Sequence, residues 1–227
     1  MRVNFLTVCT DAYPMVYAEK ITKQLNKLSS IEFDAYCITD RPNEIDGWAT
    51  PIKPKISANG WWNKLNLFSP GMPSGWNLYL DIDIVIAKEF DQELLWAIEN
   101  TKSIACVSDA INWMGEKFSS SLMVFQTGSQ DAIYEAFSNE HNQLKDRPGG
   151  DQVWMGPYLS DITYLDEFFP DLKKNLKFDL AVKSDGVNLS LPKKISQKIK
   201  LIDCGGKPKP HQLSMVPYIF NNWHQVN

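Results

Sequence analysis

The order of apolar and polar residues along the chain predicts alternating strands and helices. VNFLTVC (3–9) and FDAYCIT (33–39) are short apolar runs typical of buried strands. Between them, Ile21, Leu25 and Leu28 recur at the spacing of one helix face. The first part of the chain therefore predicts a strand, a helix and a second strand.

The same alternation continues downstream. Residues 41–60 are poorly patterned and rich in Pro, Gly and Asn, and beyond residue 160 we expect short strands and loops that wrap the sheet. In the helix over 129–139, Ala132, Ile133, Ala136 and Phe137 are expected on one face. The other predicted elements are a short helix at 61–68, strands at 78–86, 103–109 and 119–128, and a helix at 90–100. This alternation predicts an α/β layered domain with a largely parallel sheet.

Size and charge limit the possible functions. The 227 residues, 44% of them hydrophobic and 22% charged, suit one large soluble domain. A net charge of −4 argues against nucleic acid as a partner, since no global positive field attracts phosphate backbones. The segment 173–209 is locally basic, with ten Lys against three acids. It predicts either a solvated face or a surface for phosphates or an anionic membrane.

The cysteines and the hydropathy pattern indicate a cytoplasmic protein, with membrane contact restricted to that basic segment. Cys9, Cys37, Cys106 and Cys204 are far apart, and the first three lie in apolar runs, which suits buried free thiols rather than a zinc site. We find no signal peptide and no apolar run long enough to span a membrane.

Two acids interrupt the apolar run LYLDIDIVI (78–86). On one strand, Asp81 and Asp83 would share a face, with Ile82 on the other. Buried and unpaired, each carboxylate would cost several kcal/mol. The pair could emerge at the carboxyl edge of the sheet, where open α/β sheets bind ligands, and could hold Mg²⁺ or Mn²⁺ between its oxygens. Capping or pairing with a lysine is the structural alternative.

Together with five other stretches, this run resembles the A-type glycosyltransferases, especially family 8, the glycogenin and lipopolysaccharide-galactosyltransferase group. LYLDIDIVI is similar to the Asp-x-Asp strand of that family. In the same order as in the family, the other stretches are FLTVCTDAYPMVYA, KLNLF, FSSSLMVFQTG, GGDQVWM and IDCGGKPKPHQL. The resemblance covers about residues 3 to 211.

The resemblance implies transfer of a sugar from a nucleotide diphosphate, with a role for each matched residue. Asp81 and Asp83 would hold Mn²⁺ or Mg²⁺, which neutralises the departing diphosphate. Asp151 would face the donor sugar, with Gln152 near the anomeric carbon; a helix N-cap is the alternative for Asp151. The remaining implied donor contacts are Thr10, Asp11, Tyr13, Lys64, Ile82, Gly206 and Lys209, and the implied sugar contacts are Ser119, Ser120, Ser121 and Gly150. Packing at the helix entry is the alternative for Tyr13, and an ordinary surface position for Lys64.

The sequence departs from the family pattern at two places. Asp203 stands where the family has a histidine that ligates the metal, and His211 stands where it has a tryptophan. Asp203 is therefore the implied third ligand, with His211 as a substitute. Ser119, Ser120 and Ser121 replace Asn-Ser/Ala-Gly, and Ser121 adds bulk where glycine would allow close approach.

The resulting prediction is a single glycosyltransferase domain over 1–227, with a nucleotide- and metal-binding half (1–110) and a sugar- and acceptor-binding half (111–227). A uridine diphosphate sugar is the expected donor, and a glycan, a lipid-linked sugar or a protein the expected acceptor, with retention of configuration by family analogy. Two alternatives stay open. One is a nucleotide- or carbohydrate-binding module that has lost catalysis. The other is a nucleotidyltransferase, although CTDAYPMVYAEK lacks a glycine-rich triphosphate loop.

Overall fold

The first strand, the first helix and the second strand form where the sequence pattern predicts them. A computed structural model describes residues 1–10, 13–145, 147–184 and 189–226, so Asp11 lies outside the described residues. Strand β1 (Arg2–Val8) is followed by helix α1 (Val16–Leu28) and strand β2 (Glu32–Ile38). Helix α1 buries Ile21 and Leu25 and leaves Leu28 partly covered, because its apolar stripe packs against the sheet.

Seven strands form the central sheet, and most neighbouring pairs are parallel. Its further strands are β3 (Thr50–Ile52), β4 (Trp76–Leu80), β6 (Ile104–Ser108), β7 (Phe118–Gln126) and β8 (Ile162–Tyr164), while the short strand β5 (Ile84–Ile86) leaves the sheet. The spatial order is β3-β2-β1-β4-β7-β6-β8. Only β7 runs antiparallel to its neighbours β4 and β6. The predicted α/β class with a largely parallel sheet is confirmed.

The helices follow the predicted positions, but the buried face of α3 includes fewer residues than the sequence pattern predicts. Helix α3 buries Ile133 and Phe137, whereas Ala132 is exposed, so its placement on the buried face was wrong. The predicted helix at 61–68 is a 3₁₀ helix, Gly60–Phe68. The α-helices after α1 are α2 (Asp91–Asn100), α3 (Asp131–Glu140), α4 (Gly150–Met155) and α5 (Pro217–Ile219).

The strands of the last third of the chain are short, as expected. They are β9 (Lys173–Asn175), β10 (Lys183–Ser184), β11 (Leu189–Ser190) and β12 (Leu201–Asp203). The basic segment 173–209 is not one uniform face, because three of its lysines form ion pairs with acids. Lys173 pairs with Asp203, Lys200 with Glu89 and Glu93, and Lys209 with Asp83.

The prediction of one strand over 78–86 was wrong. Strand β4 ends at Leu80, a turn follows in which the Ile84 N–H donates to the Asp81 carbonyl, and β5 begins at Ile84. The chain breaks here because β5 pairs with β12, which in turn pairs with β9, in a separate three-stranded sheet. Asp81 and Asp83 therefore flank a turn between two sheets instead of sharing one strand face.

All four cysteines are buried and free, as expected for Cys9, Cys37 and Cys106. Burial raises the pKa of Cys9 to about 12 and that of Cys37 to about 11. These thiols are accordingly unreactive core residues at neutral pH. Among the described residues, no helix has both the length and the apolar character needed to cross a membrane.

Candidate active site

A pocket of about 710 Å³ opens where β1 and β4 end and β7 begins. This is the carboxyl edge of the parallel strands, so Asp81 and Asp83 do emerge where open α/β sheets bind ligands. The turn between β4 and β5, helix α4 and the segment after β12 complete its walls. The predicted residues that line it are Thr10, Tyr13, Lys64, Asp81, Ile82, Asp83, Ser119, Ser120, Ser121, Gly150, Asp151, Gln152, Asp203, Gly206 and Lys209.

A buried lysine joins two of the acids at the centre of the pocket. The Lys64 ammonium lies 2.9 Å from Asp81 and 3.0 Å from Asp151, and it donates to the Ser120 hydroxyl at 3.0 Å. Ser120 in turn donates to Asp151 at 3.0 Å. We call Lys64, Asp81, Asp151 and Ser120 the Lys64 cluster. Lys64 is thus a buried site residue, not the surface lysine that was its alternative.

The charge of Asp81 is only partly compensated within this cluster. Burial raises the pKa of Asp81, and the nearby carboxylates of Asp83 and Asp151 raise it further, while Lys64 opposes them. Tyr79 also donates its hydroxyl to Asp81. The site therefore holds more negative charge around Asp81 than one lysine neutralises, which favours binding of a further cation.

A second buried lysine lies on the opposite face of β7. The Lys173 ammonium donates to Asp203 at 2.8 Å, to Ser121 at 2.6 Å and to Ser119 at 3.2 Å. We call these four residues the Lys173 cluster. Burial alone would raise the pKa of Asp203, but the charge and hydrogen bond of Lys173, with the Gly205 N–H, outweigh it and lower that pKa. Because strand side chains alternate, Ser120 belongs to one cluster and Ser119 and Ser121 to the other.

Two further lysines approach each other at the segment that follows β12. Lys209 pairs with Asp83, and its ammonium also lies 5.8 Å from the centre of the Tyr13 ring. A Cβ at Gly206, where φ is +75°, would lie 2.5 Å from the Lys177 ammonium. Burial and the charge of Lys209 lower the pKa of Lys177. The positive φ at 206 favours glycine, and any side chain there would have to displace the Lys177 ammonium.

The end of the pocket formed by the loop after β1 is fixed by two residues outside the predicted set. The Arg41 guanidinium donates to the Thr10 carbonyl at 3.0 Å and to the Tyr13 carbonyl at 2.7 Å. The Asn63 amide donates to the Thr10 hydroxyl at 3.1 Å. Tyr13, whose partly exposed ring lines the pocket, is thus held through its carbonyl just before α1.

Two glycines shape the entry to α4. Gly149 and Gly150 have φ values of +87° and +67°, and a Cβ at Gly149 would lie 2.7 Å from Val153. A Cβ at Gly150 would lie 3.2 Å from Trp61. Asp151 follows as the second residue of the helix and makes no capping bond, so the N-cap alternative was wrong.

Gln152 is held between two groups at the same end. Its amide nitrogen donates to Asp109 at 2.9 Å, and its oxygen accepts from the Ser120 N–H at 3.3 Å. His211, in contrast, does not line the pocket; its ring contacts the Tyr17 hydroxyl.

Sequence reasoning missed several residues of the site. Tests for strand and helix periodicity do not detect them, because their roles depend on contacts between distant segments. Two signals in the sequence point to some of them. The serine run in a buried strand needs hydrogen-bond partners, and the turn DRPN carries an arginine. The missed residues are Arg41, Trp61, Asn63, Asp109, Lys173, Lys177 and Phe178.

The residues present fit a divalent cation at Asp81 and Asp83. Both carboxylates line the pocket, the charge of Asp83 adds to burial in raising the pKa of Asp81, and hard oxygen ligands suit Mg²⁺ and Mn²⁺. Asp203 fits less well, because its oxygens accept from Lys173 and from the Gly205 N–H. Within the described ranges, no three or more His, Cys, Asp or Glu side chains are grouped so that they could hold a metal as they stand.

Comparison with solved structures relates the whole chain to glycosyltransferases. No protein-family model and no curated protein sequence matches it. The galactosyltransferase LgtC, solved with donor and acceptor sugar analogs, aligns over 99% of this chain and 96% of its own with a TM-score of 0.65 and 14% identity. The glycosyltransferase GlyE of Streptococcus pneumoniae TIGR4 aligns over 98% of this chain, with a TM-score of 0.65 and 14% identity. The bifunctional glycosyltransferase WbbM aligns over 99%, with a TM-score of 0.64 and 13% identity.

The coverage of these structures differs. This chain spans about 61% of the GlyE chain and about 50% of the WbbM chain, but nearly all of LgtC. At these identities the likeness establishes the fold. The chain has the A-type glycosyltransferase fold that its sequence motifs predict.

Proposed function

We propose that the protein is a metal-dependent glycosyltransferase that moves a sugar from a nucleotide diphosphate, a uridine diphosphate sugar, to a glycan, lipid-linked or protein acceptor with retention. The observation that carries this proposal is the meeting of Asp81, Asp83, Asp151 and Lys209 in one pocket at the carboxyl edge of the sheet. The fold shared with LgtC, whose solved complex holds donor and acceptor sugar analogs, supports it.

The described residues divide the pocket by chemistry. Tyr13 offers an aromatic face for the base, in a loop fixed by Arg41. Lys209 and Lys177 offer ammonium groups for a diphosphate beside Gly206, where the backbone leaves room. Asp81 and Asp83 would hold Mn²⁺ or Mg²⁺, which when bound supplies neutralising charge for the leaving diphosphate. Because Lys209 belongs to the carboxyl-terminal half, the diphosphate site would draw on both halves of a single domain.

The opposite side of the pocket suits a sugar. Asp151 and Ser120 present polar atoms that can hydrogen-bond sugar hydroxyls, and Gln152 is oriented by Asp109. Trp61 is 53% exposed at the pocket wall, so a sugar ring can pack on its face. Gly150 lets the donor approach the backbone at this point. We assign Asp151 and Gln152 to the reacting sugar on this basis.

A carbohydrate- or nucleotide-binding module without catalysis is the second candidate. It is favoured by one observation: each acid at the centre of the pocket already has a lysine partner. A panel of nucleotide sugars, with and without Mn²⁺, separates the two functions. We expect a uridine diphosphate sugar to raise the melting temperature only with Mn²⁺, because the proposed site binds the diphosphate through the metal. A ligand at 100 times its Kd stabilises the folded protein by about 2.7 kcal/mol. We also expect slow release of labelled sugar to water. Binding without release would favour the module, and no stabilisation by any donor would contradict both the transferase and a nucleotide-binding module.

Replacing Asp151 with asparagine should reduce sugar transfer by about 100-fold while donor affinity changes by less than about 3-fold. The reason is that Asp151 faces the sugar side of the pocket, while Lys64 keeps Asp81 as a partner. Donor hydrolysis and donor titration on the same preparation measure the two effects. Glu135→Gln, on the exposed side of α3, is the matched control and should change neither. Equal loss of both quantities in Asp151→Asn would assign the residue to structure.

A further inference from the structure

The Lys173 ammonium has its hydrogen-bonding capacity filled within the protein. Its side chain is 7% exposed, and its three N–H groups meet three acceptors: Asp203 at 2.8 Å, Ser121 at 2.6 Å and Ser119 at 3.2 Å. A buried ammonium is stable only when its charge and its donors are compensated in this way. The cluster links β9, β12 and β7 by one cation.

The acceptors are the residues at which the sequence departs from the family pattern. Asp203 stands at the histidine position, and Ser119 and Ser121 replace asparagine and glycine. A histidine at 203 would not neutralise the ammonium, and a glycine at 121 would remove its shortest hydrogen bond. One residue, Lys173, thus gives both departures a common physical reason.

Asp203 is engaged through both carboxylate oxygens. One accepts from Lys173, and the other accepts from the Gly205 N–H at 2.8 Å. If Asp203 turned to a metal ion, Lys173 would lose its charge partner, because no second acid in the described part of the chain lies within 4 Å of it. A buried, unpaired ammonium opposes such a rearrangement.

The other two acids differ in this respect. If Asp81 turned to a metal ion, Lys64 would keep Asp151 at 3.0 Å. If Asp83 did so, Lys209, whose side chain is 22% exposed, could turn to solvent or to a phosphate. Two of the three acids can therefore release their lysines without leaving a charge buried alone, and Asp203 cannot.

We infer that the Lys173 ammonium is the permanent cation partner of Asp203, the residue at the position of the third metal ligand. It is a positioning residue that holds Asp203 away from the metal ion and fixes Ser119 and Ser121 as a wall of the pocket, while Asp81 and Asp83 alone supply carboxylate ligands. This inference rests on the metal-dependent function proposed above. It removes Asp203 from the predicted set of metal ligands.

Calorimetric titration of Mn²⁺ in the presence of uridine diphosphate tests the inference in wild type and four variants. We expect Asp203→Asn to bind Mn²⁺ within about 3-fold of wild type, whereas Asp83→Asn should lose at least about 100-fold. Lys173→Met should bind about 10-fold more tightly than wild type, because Asp203 is then free to ligate. The double variant Lys173→Met/Asp203→Asn should lose that gain.

Each outcome decides one question. A loss in Asp203→Asn as large as that in Asp83→Asn would overturn the inference and leave the proposed function intact. The inference would also be overturned if Lys173→Met melts near the wild-type temperature and its Mn²⁺ affinity is unchanged. If Lys173→Met fails to fold, Asp203→Asn decides alone. If Mn²⁺ binds neither to wild type nor to any of the four variants, the metal is removed from the proposed function and the inference is overturned with it.

Discussion

Replacing Lys64 with methionine should lower the free energy of unfolding by about 3–5 kcal/mol, because the substitution leaves two carboxylates without their shared charge partner. The side chains of Lys64 and Asp151 are only 8% and 10% exposed, so solvent cannot substitute for the ammonium. Ser120 also loses a donor. Urea unfolding at neutral pH measures the effect.

The loss of stability in Lys64→Met should become smaller as the pH falls. Burial raises the pKa of Asp81 and Lys64 opposes that rise, so without Lys64 the pKa of Asp81 should rise further. A carboxyl group whose pKa is higher in the folded than in the unfolded protein lowers stability only at pH values where the unfolded protein ionises it. Below the pKa of the unfolded state, this loss of stability disappears. Unfolding curves of the variant and of wild type should therefore converge toward acidic pH.

Lys102→Met is the matched control, since Lys102 is exposed, and it should change stability by less than about 0.5 kcal/mol. The double variant Lys64→Met/Asp151→Asn should regain part of the lost stability, because one of the two unpaired charges is gone. If Lys64→Met unfolds at the urea concentration of Lys102→Met, the Lys64 cluster does not hold the pocket together.

Replacing Asp83 with asparagine should abolish metal-dependent nucleotide binding, with at least about 100-fold weaker affinity for uridine diphosphate in Mn²⁺. Asp83 is the better of the two turn acids for this test. Its only ion-pair partner in the described ranges is Lys209, which is partly exposed, whereas a change at Asp81 would disturb the Lys64 cluster as well. Fluorescence or calorimetric titration with and without Mn²⁺ separates the metal-dependent part.

Asp46→Asn, at an exposed position that does not line the pocket, provides the control and should bind as wild type does. The melting temperature of Asp83→Asn should stay close to that of wild type, since the Lys209 side chain is 22% exposed and can turn to solvent when its partner loses its charge. Wild-type nucleotide affinity in Asp83→Asn would refute the metal role of the turn.

The elements with strong local patterns could be predicted from the sequence. Strand β1 and helix α1 have apolar residues at the periods of a buried strand and an amphipathic helix, and no distant contact competes with those preferences. The site residues could be proposed for a different reason, because short motifs in a fixed order carried a resemblance. Most of those motifs do line one pocket, although their roles stay predictions.

The partners of the acids could not be predicted, because each lies far along the chain. Lys64 reaches Asp151, and Lys173 reaches back to Ser119, through tertiary packing that periodicity does not encode. The break at residues 81–83 was missed for the same reason. An almost continuous aliphatic run fits one buried strand, and only pairing of Ile84–Ile86 with Leu201–Asp203 pulls its second half into another sheet.

That pairing has a consequence for how the protein is made. Chains generally acquire structure from the amino terminus as they are synthesised. Strand β5, which follows Asp83, has no partner strand in the described part of the chain until the ribosome has passed Asp203. A nascent or shortened polypeptide that ends before this residue can assemble β1, β2 and β4 and still lack Asp203, Gly206 and Lys209, so the pocket is completed only after these residues have been synthesised.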